Sequence, residues 1–321
     1  MAPGSGGAVV EGHVVRDDRF FAMGNTTHVV VLATNDDQAE ELLARARNFA
    51  VTLERSWSRF VPTSDVARLN TARGRAVRIS PDTEVLIRHL VAAFDATDGL
   101  FNPFVLPALV NAGYRASLAG DGTKACEVDV ALSMPATSNV LLESVDGETW
   151  CRLLAGASID PGGLGKGLAA DIIAERLILE GARGVLVSMG GDVRCAGTSP
   201  HPDGWVIDIE TLCHPALGNT TVVLKSGAIA TSSTHAKRWH NGHHIIDPAT
   251  SKPIDEGAPD ALRLSSVLAS TAVWAEVFAT ATLVAGASTA GLMLEARGLA
   301  GRFEGVNGEP IHTRAFERYE R

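Results

Sequence analysis

The chain has 321 residues, 45% of them hydrophobic, which is ample for a large domain with its own core. Its formal net charge is −9 and its pI is about 5.6, with no Lys/Arg run, so nucleic acid is excluded as a natural partner. No apolar run approaches the roughly 18–20 residues of a membrane span, and the opening MAPGSGGAVVEGHVVRDD lacks the basic and apolar regions of a secretory signal. Cys126, Cys151, Cys195 and Cys213 form no CxxC pair and read as free thiols of a cytoplasmic protein.

Residues 1–17 read as a flexible lead, followed by one domain over 18–321. THVVVLAT (27–34) is a strand. Residues 36–57 form a helix with an Asp-rich start and apolar residues three and four apart. Pro62 turns the chain and Ser64 starts a short helix. A second amphipathic helix spans 81–99 and ends at Gly99. Around 112–135 the periodicity gives way to Gly, Ala, Ser and charges, the pattern of a variable insertion. CRLLAGASID (151–160) is a strand, followed by a glycine turn and a helix over 167–180. GVLVSMGGD (184–192) is a buried strand ending on a glycine pair. GWVIDIE and NTTVVLKS are neighbouring strands, RLSSVLAS is another, and 270–286 is a helix. Strands pair with neighbours as often as they alternate with helices, which predicts an α+β fold with mixed or antiparallel sheets and packed helices.

The glycine turn, SIDPGGLGKGLAAD, suggests a phosphate cradle. Glycines let backbone N–H groups approach an anion, and the helix N-terminus behind them favours negative charge. A Walker A loop fails, because Asp160 and Gly167 hold the places of its first glycine and its metal-binding hydroxyl. Gly165, Gly167 and Ala170 fit a dinucleotide G-x-G-x-x-A fingerprint, with Asp192 near the place of a ribose-binding acid. Asp160 suits neither motif unless a hydroxyl donor or a cation mediates. The pair Gly190–Gly191 reads either as a tight turn or as a close approach to a second part of the same ligand.

His235, His240, His243 and His244 fall within ten positions. Their spacings do not repeat as HxxxH or HExxH, and no cysteine joins them. One of them is expected to be buried by the IIDP strand and held by Asp247 or by a ligand. Glu276 stands in the nearly all-apolar helix TAVWAEVFATATLVAG, with Thr280 one turn later on the same face. A buried carboxylate needs a partner, a hydrogen bond or a metal. A carboxylate and a hydroxyl one turn apart offer the hard oxygens that Mg²⁺ prefers, although an arginine partner or solvent exposure would also account for Glu276.

Taken in order over roughly residues 19–290, these segments resemble the ApbE-type FAD:protein FMN transferase family. FFAMGNTTHVVV, WSRFVPTSDVARLN, DGLFNPF, IDPGGLGKGLAAD, LVSMGGDVRCAG, AIATSS, HHIIDPATSKP and AEVFATATLVAG are similar to family segments in family order. The resemblance implies two intimately joined lobes with FAD in the cleft. It implies FAD contacts from Met23, Phe60, Leu100, Phe101, Asn102, Asp160, Lys166 and His244, with Asp160 meeting a donor on the flavin or its ribityl chain. It implies Mg²⁺ ligands from the Gly163 carbonyl, Glu276 and Thr280. The implied reaction moves FMN from FAD to a Thr or Ser hydroxyl of an acceptor flavoprotein and releases AMP, with His244 or Asp247 as general base. An FAD pyrophosphatase or a non-catalytic FAD-binding protein would use the same motifs. The chain departs from the family pattern at Asn25, Asn102, Ser233 and Glu276, where Thr, Asp, Gly and Asp are usual.

Overall fold

The computed structural model describes residues 9–10, 12–116, 136–154, 156–211, 218–239, 242–305 and 310–321. In chain order it contains β1 (Val9–Val10), β2 (His13–Ala22), β3 (Asn25–Ala33), α1 (Asp36–Trp57), α2 (Asp65–Thr71), β4 (Val77–Ile79), α3 (Pro81–Ala96) and α4 (Leu106–Asn111). Then follow β5 (Val140–Val145), β6 (Glu148–Leu153), α5 (Gly165–Leu179), β7 (Gly184–Met189), β8 (Asp192–Gly197), β9 (Trp205–Ile209), β10 (Thr220–Leu224) and β11 (Gly227–Ser233). Four two-residue strands make two small ladders, β12 (Arg238–Trp239) with β13 (Gly242–His243) and β14 (Ile246–Asp247) with β15 (Lys252–Pro253). The chain closes with β16 (Leu262–Ala269), α6 (Ala272–Ala285), α7 (Ala287–Glu295), β17 (Ala300–Gly305) and β18 (Ile311–His312).

The main sheet runs β1-β2-β3-β7-β8-β11-β16-β17-β18, and every pair in it is antiparallel. Both of its faces are covered. Val29, Val31 and Ala33 of β3 join the core under the helices, while Leu32 joins a second core under the β9–β10 ribbon. β7 divides the same way, with Val185, Val187 and Met189 on one side and Leu186 on the other. Strands buried on both faces read as continuous apolar runs, which is why VVVLA shows no alternation. Each fully buried Val or Leu contributes about 1.5–3 kcal/mol over its exposed state. A smaller sheet, β4-β6-β5, packs with α2 and α3. Among the described residues no helix is long and apolar enough to cross a membrane.

The helix boundaries follow their caps. The Asn35 side chain accepts from the Gln38 N–H and starts α1; Ser80 does the same for α3 through Thr83. Gly99, at φ +80°, follows the end of α3, and its N–H donates to the Phe94 carbonyl. α5 and α6 have no cap of their own, and each caps the other. Asp171 of α5 accepts from the Ala272 and Val273 N–H groups of α6 at 2.9 and 2.8 Å, and Glu276 of α6 accepts from the Gly167 N–H of α5 at 2.8 Å.

Several expectations change. Residues 13–17, expected within a flexible lead, form the first half of β2 and pair with β3 from Val14 onward. The strand expected over 151–160 ends at Leu153, because its partners run out there: Val77 pairs with Cys151 and Val140 with Leu153. β8 directly follows the Gly190–Gly191 turn, a strand hidden in DVRCAG by its arginine and glycine. β6 and β7 lie in different sheets, so Gly165-x-Gly167-x-x-Ala170 has no parallel βαβ unit around it and the dinucleotide reading falls. Most of the expected insertion, 117–135, lies outside the described residues, as do His240, Cys126 and Cys213.

Candidate functional site

Two hairpin turns meet at one end of the main sheet. Met23 and Gly24 join β2 to β3 with φ of 51° and 72°, a two-residue turn whose twist suits paired strands. Gly190 and Gly191 join β7 to β8 with φ of 62° and 99°. The turns touch: a Cβ on Gly190 would lie 2.8 Å from Cγ of Asn25. The glycine pair is therefore a tight turn pressed against its neighbour, and Gly190 also borders a cavity.

That cavity encloses about 500 Å³, within the range of small-molecule sites. Met23, Phe60, Leu100, Phe101, Asn102, Asp160, Gly163, Lys166, His244, Glu276 and Thr280 all line it. They come from the first hairpin, the α1–α2 turn, the loop after α3, the glycine turn, the IIDP segment and α6. Asp247 does not line it; its carboxylate accepts from the Ala249 N–H and the Thr250 hydroxyl, both at 2.9 Å, closing the turn before β15.

Asp160 finds its cation within the chain. Its Oδ2 lies 2.9 Å from Nε of Arg59, and its Oδ1 accepts from the Gly162 N–H at 2.6 Å. Arg59 is itself buried, with its guanidinium 4.3 Å from the Phe60 ring centre and 4.4 Å from that of Tyr114. Tyr114 stacks in turn on Trp239 at 5.6 Å. Sequence reasoning missed Arg59 and Tyr114, because a single arginine or tyrosine in a loop carries no pattern.

Lys166 sits between two acids. Its Nζ lies 2.8 Å from Asp192 Oδ2 and also bonds Glu276 Oε1. Against the cost of burial, Asp192 and Glu276 hold this ammonium above the ordinary lysine range. Burial pushes the Glu276 carboxyl upward; Lys166 and the Gly167 N–H pull against that, and Asp192 adds to it. Asp192, expected at most near a ribose, is thus Lys166's second partner. On the same face of α6, the Thr280 hydroxyl meets Ser232 Oγ at 3.1 Å, and a Cβ on Gly163 would lie 3.7 Å from Thr280 Oγ1.

The histidines separate by environment. His243 is the buried one, and backbone holds it rather than Asp247: Ile245 N–H donates to Nδ1, and Nε2 donates to the Ile254 carbonyl, both at 3.2 Å. His235 is exposed. His244 borders the cavity, and its Nδ1 donates to the Lys237 carbonyl at 3.2 Å, which leaves the lone pair on Nε2. Burial, with Lys237 nearby, pushes its pKa down to about 3, so the imidazole is neutral near pH 7.

A doubly covered antiparallel sheet whose hairpin turns open onto a charged cavity defines an α+β protein with a built small-molecule site. Within that class the chain belongs to the ApbE family, whose model matches residues 23–303. It is 25% identical to the ApbE protein of Thermotoga maritima MSB8, with a TM-score of 0.80 over 96% of this chain and 99% of that one. It is 27% identical over 208 residues to the FAD:protein FMN transferase of Klebsiella pneumoniae, spanning 60% of this chain and 60% of that protein. It is 24% identical over 294 residues to that of Haemophilus influenzae, spanning 87% and 83%.

Proposed function

We propose that the chain is an FAD:protein FMN transferase. One observation carries the reading: the eleven residues that the family resemblance assigns to FAD and metal, scattered from Met23 to Thr280, line one cavity. The related proteins of Klebsiella and Haemophilus bear that activity in their names. FAD is the substrate, and the acceptor is a flavoprotein with an accessible Thr or Ser hydroxyl.

The donor set fits Mg²⁺. Gly163, Glu276 and Thr280 line the same cavity and offer hard oxygens, with a Cβ on Gly163 3.7 Å from Thr280 Oγ1, and four carboxylates (Glu54, Asp160, Asp192, Glu276) line it against three cations (Arg59, Lys166, Lys237). A pyrophosphate would enter a wall of net negative charge, so a divalent cation is needed to balance it. When bound, Mg²⁺ supplies charge neutralisation on phosphate oxygens. Glu reaches one methylene farther than the usual Asp, and Glu276 would hold the ion while its oxygens stay bonded to Lys166 and to the Gly167 N–H.

The acceptor hydroxyl attacks the phosphorus on the FMN side of FAD. The new P–O bond forms as the pyrophosphate P–O bond breaks, and AMP leaves. His244 Nε2 takes the hydroxyl proton, a role its tautomer permits; a bound anion favours the imidazolium and raises its low pKa towards use. Asp247 is the weaker candidate, since both carboxylate oxygens already close a turn. Positioning and electrostatics carry most of such a phosphoryl transfer.

The test incubates the chain with FAD, Mg²⁺ and a candidate acceptor. The acceptor gains the mass of one FMN and AMP appears in equal amount. AMP and free FMN without acceptor labelling would show water as the nucleophile instead. FAD binding with no AMP release, with or without acceptor, would refute catalysis. Glu276→Gln is expected to abolish the Mg²⁺-dependent turnover while leaving the fold intact; unchanged turnover would remove Glu276 from the metal.

A further inference from the structure

The cavity holds three cationic side chains, and two are committed. Arg59 is paired with Asp160 and stacked between two rings. Lys166 is shared by two carboxylates, so that group of three is net negative and presents no surplus positive charge to an anion. Lys237 is different. It lines the cavity, and among the described residues no carboxylate lies within ion-pair distance of its ammonium. Its ammonium lies over the Tyr114 ring, with Nζ 5.9 Å from the ring centre.

We propose that Lys237 is the residue that receives the phosphate charge of the ligand, and that Lys166 instead holds Glu276 and Asp192 in place; this rests on reading the cavity as an FAD site. Burial disfavours the Lys237 ammonium, and Lys166 and Arg59 repel it, while Asp160 and Glu276 attract it from a distance. A cation held at a cost among like charges gains most when an anion arrives. The backbone of the same residue supports the geometry. The Lys237 carbonyl accepts from both the N–H and Nδ1 of His244, at 3.3 and 3.2 Å, so two hydrogen bonds tie the phosphate contact to the proton acceptor. The neighbour Arg238 is turned away and paired with Glu256 at 2.7 and 2.9 Å. Lys166 in turn keeps two acids from repelling each other at the mouth of α5, where Glu276 also caps the helix.

The test measures binding of ADP, inorganic pyrophosphate and riboflavin, each with Mg²⁺, to the full chain by titration calorimetry. Lys237→Met is expected to weaken ADP and pyrophosphate by at least about tenfold and to leave riboflavin within about twofold, with Lys237→Arg recovering most of the phosphate affinity. The Met variant keeps the carbonyl that holds His244, and its melting temperature should equal or exceed the parent's, since a costly charge is gone. Unchanged ADP and pyrophosphate affinity in Lys237→Met overturns the proposal, as does a parallel loss of riboflavin binding. So does a parent chain that binds neither phosphate probe. If the parent binds pyrophosphate but not riboflavin, and Lys237→Met loses the pyrophosphate, the FAD reading fails and the assignment of Lys237 stands.

Discussion

Gly167→Ala should unsettle the crossing on which the site depends. Gly167 is the third residue of α5, and a Cβ there would lie 2.4 Å from the Ala272 carbonyl oxygen, 2.6 Å from its carbon and 2.9 Å from Val273 N. All three are backbone atoms of α6, so no side chain can swing aside. The helices must part by at least 0.6 Å to restore a 3.0 Å contact. Overpacking of this kind costs about 1–3 kcal/mol. The separation also strains the 2.8 Å bond from Gly167 N–H to the Glu276 carboxylate and the caps that Asp171 gives α6. Loss of a buried bond to a charged group adds about 1.5–3 kcal/mol. The expected total of about 2.5–6 kcal/mol corresponds to a fall in melting temperature of roughly 4–9 °C in a chain of 321 residues. Scanning calorimetry checks it. The control is Gly291→Ala in α7, where a Cβ meets nothing within 4 Å and helix propensity should raise stability by about 0.5–1 kcal/mol. A Gly167→Ala melting temperature within about 1 °C of the parent's would refute the close crossing.

Three further outcomes follow from the same charges and packing. Arg59→Ala leaves Asp160 buried without its cation and should cost about 3–5 kcal/mol in denaturant unfolding, much of it restored by adding Asp160→Asn; strictly additive effects would deny the pair. The His244 pKa falls from 6.5 to about 3 on folding, so its contribution is complete above pH 6.5 and is lost as pH drops towards 3. Relative to His244→Gln, the parent should lose up to about 1.4 kcal/mol per pH unit between pH 6 and 4, and parallel stability curves would contradict the burial of this imidazole. Burial pushes the Cys151 and Cys195 thiols up to about 12, so peptide mapping after mild iodoacetamide treatment should find both unmodified until the chain unfolds; labelling of either in the native protein would reject its buried placement.

What could be read in the sequence was local. The Asp-rich helix start at 36, the start at Ser64 and the break at Gly99 are chemical signals confined to a turn or two, and the structure places the helices accordingly. The VVVLA run announced a strand, and the pairing of neighbouring strands announced mixed or antiparallel sheets, of which the main one is antiparallel throughout. The order of the motifs announced the family. The edges were less legible, since β2 begins inside the expected lead and β6 ends early, each where its partner strands allow pairing.

Only the tertiary structure decided who partners whom. An acid out of place in a glycine turn called for a hydroxyl donor or a cation; the fold brings Arg59 from a hundred residues away to pair with it on the cavity wall. Glu276 could have met an arginine or solvent; the crossing of α5 and α6 gives it Lys166 and the Gly167 N–H. Asp192 was placed only near a ribose and Lys237 carried no signal, yet the fold brings both to the same cavity. Sequence spacing encodes periodicity along one element, whereas Coulomb and hydrogen-bond energies depend on distances of a few ångströms in space, and those arise only when the elements pack.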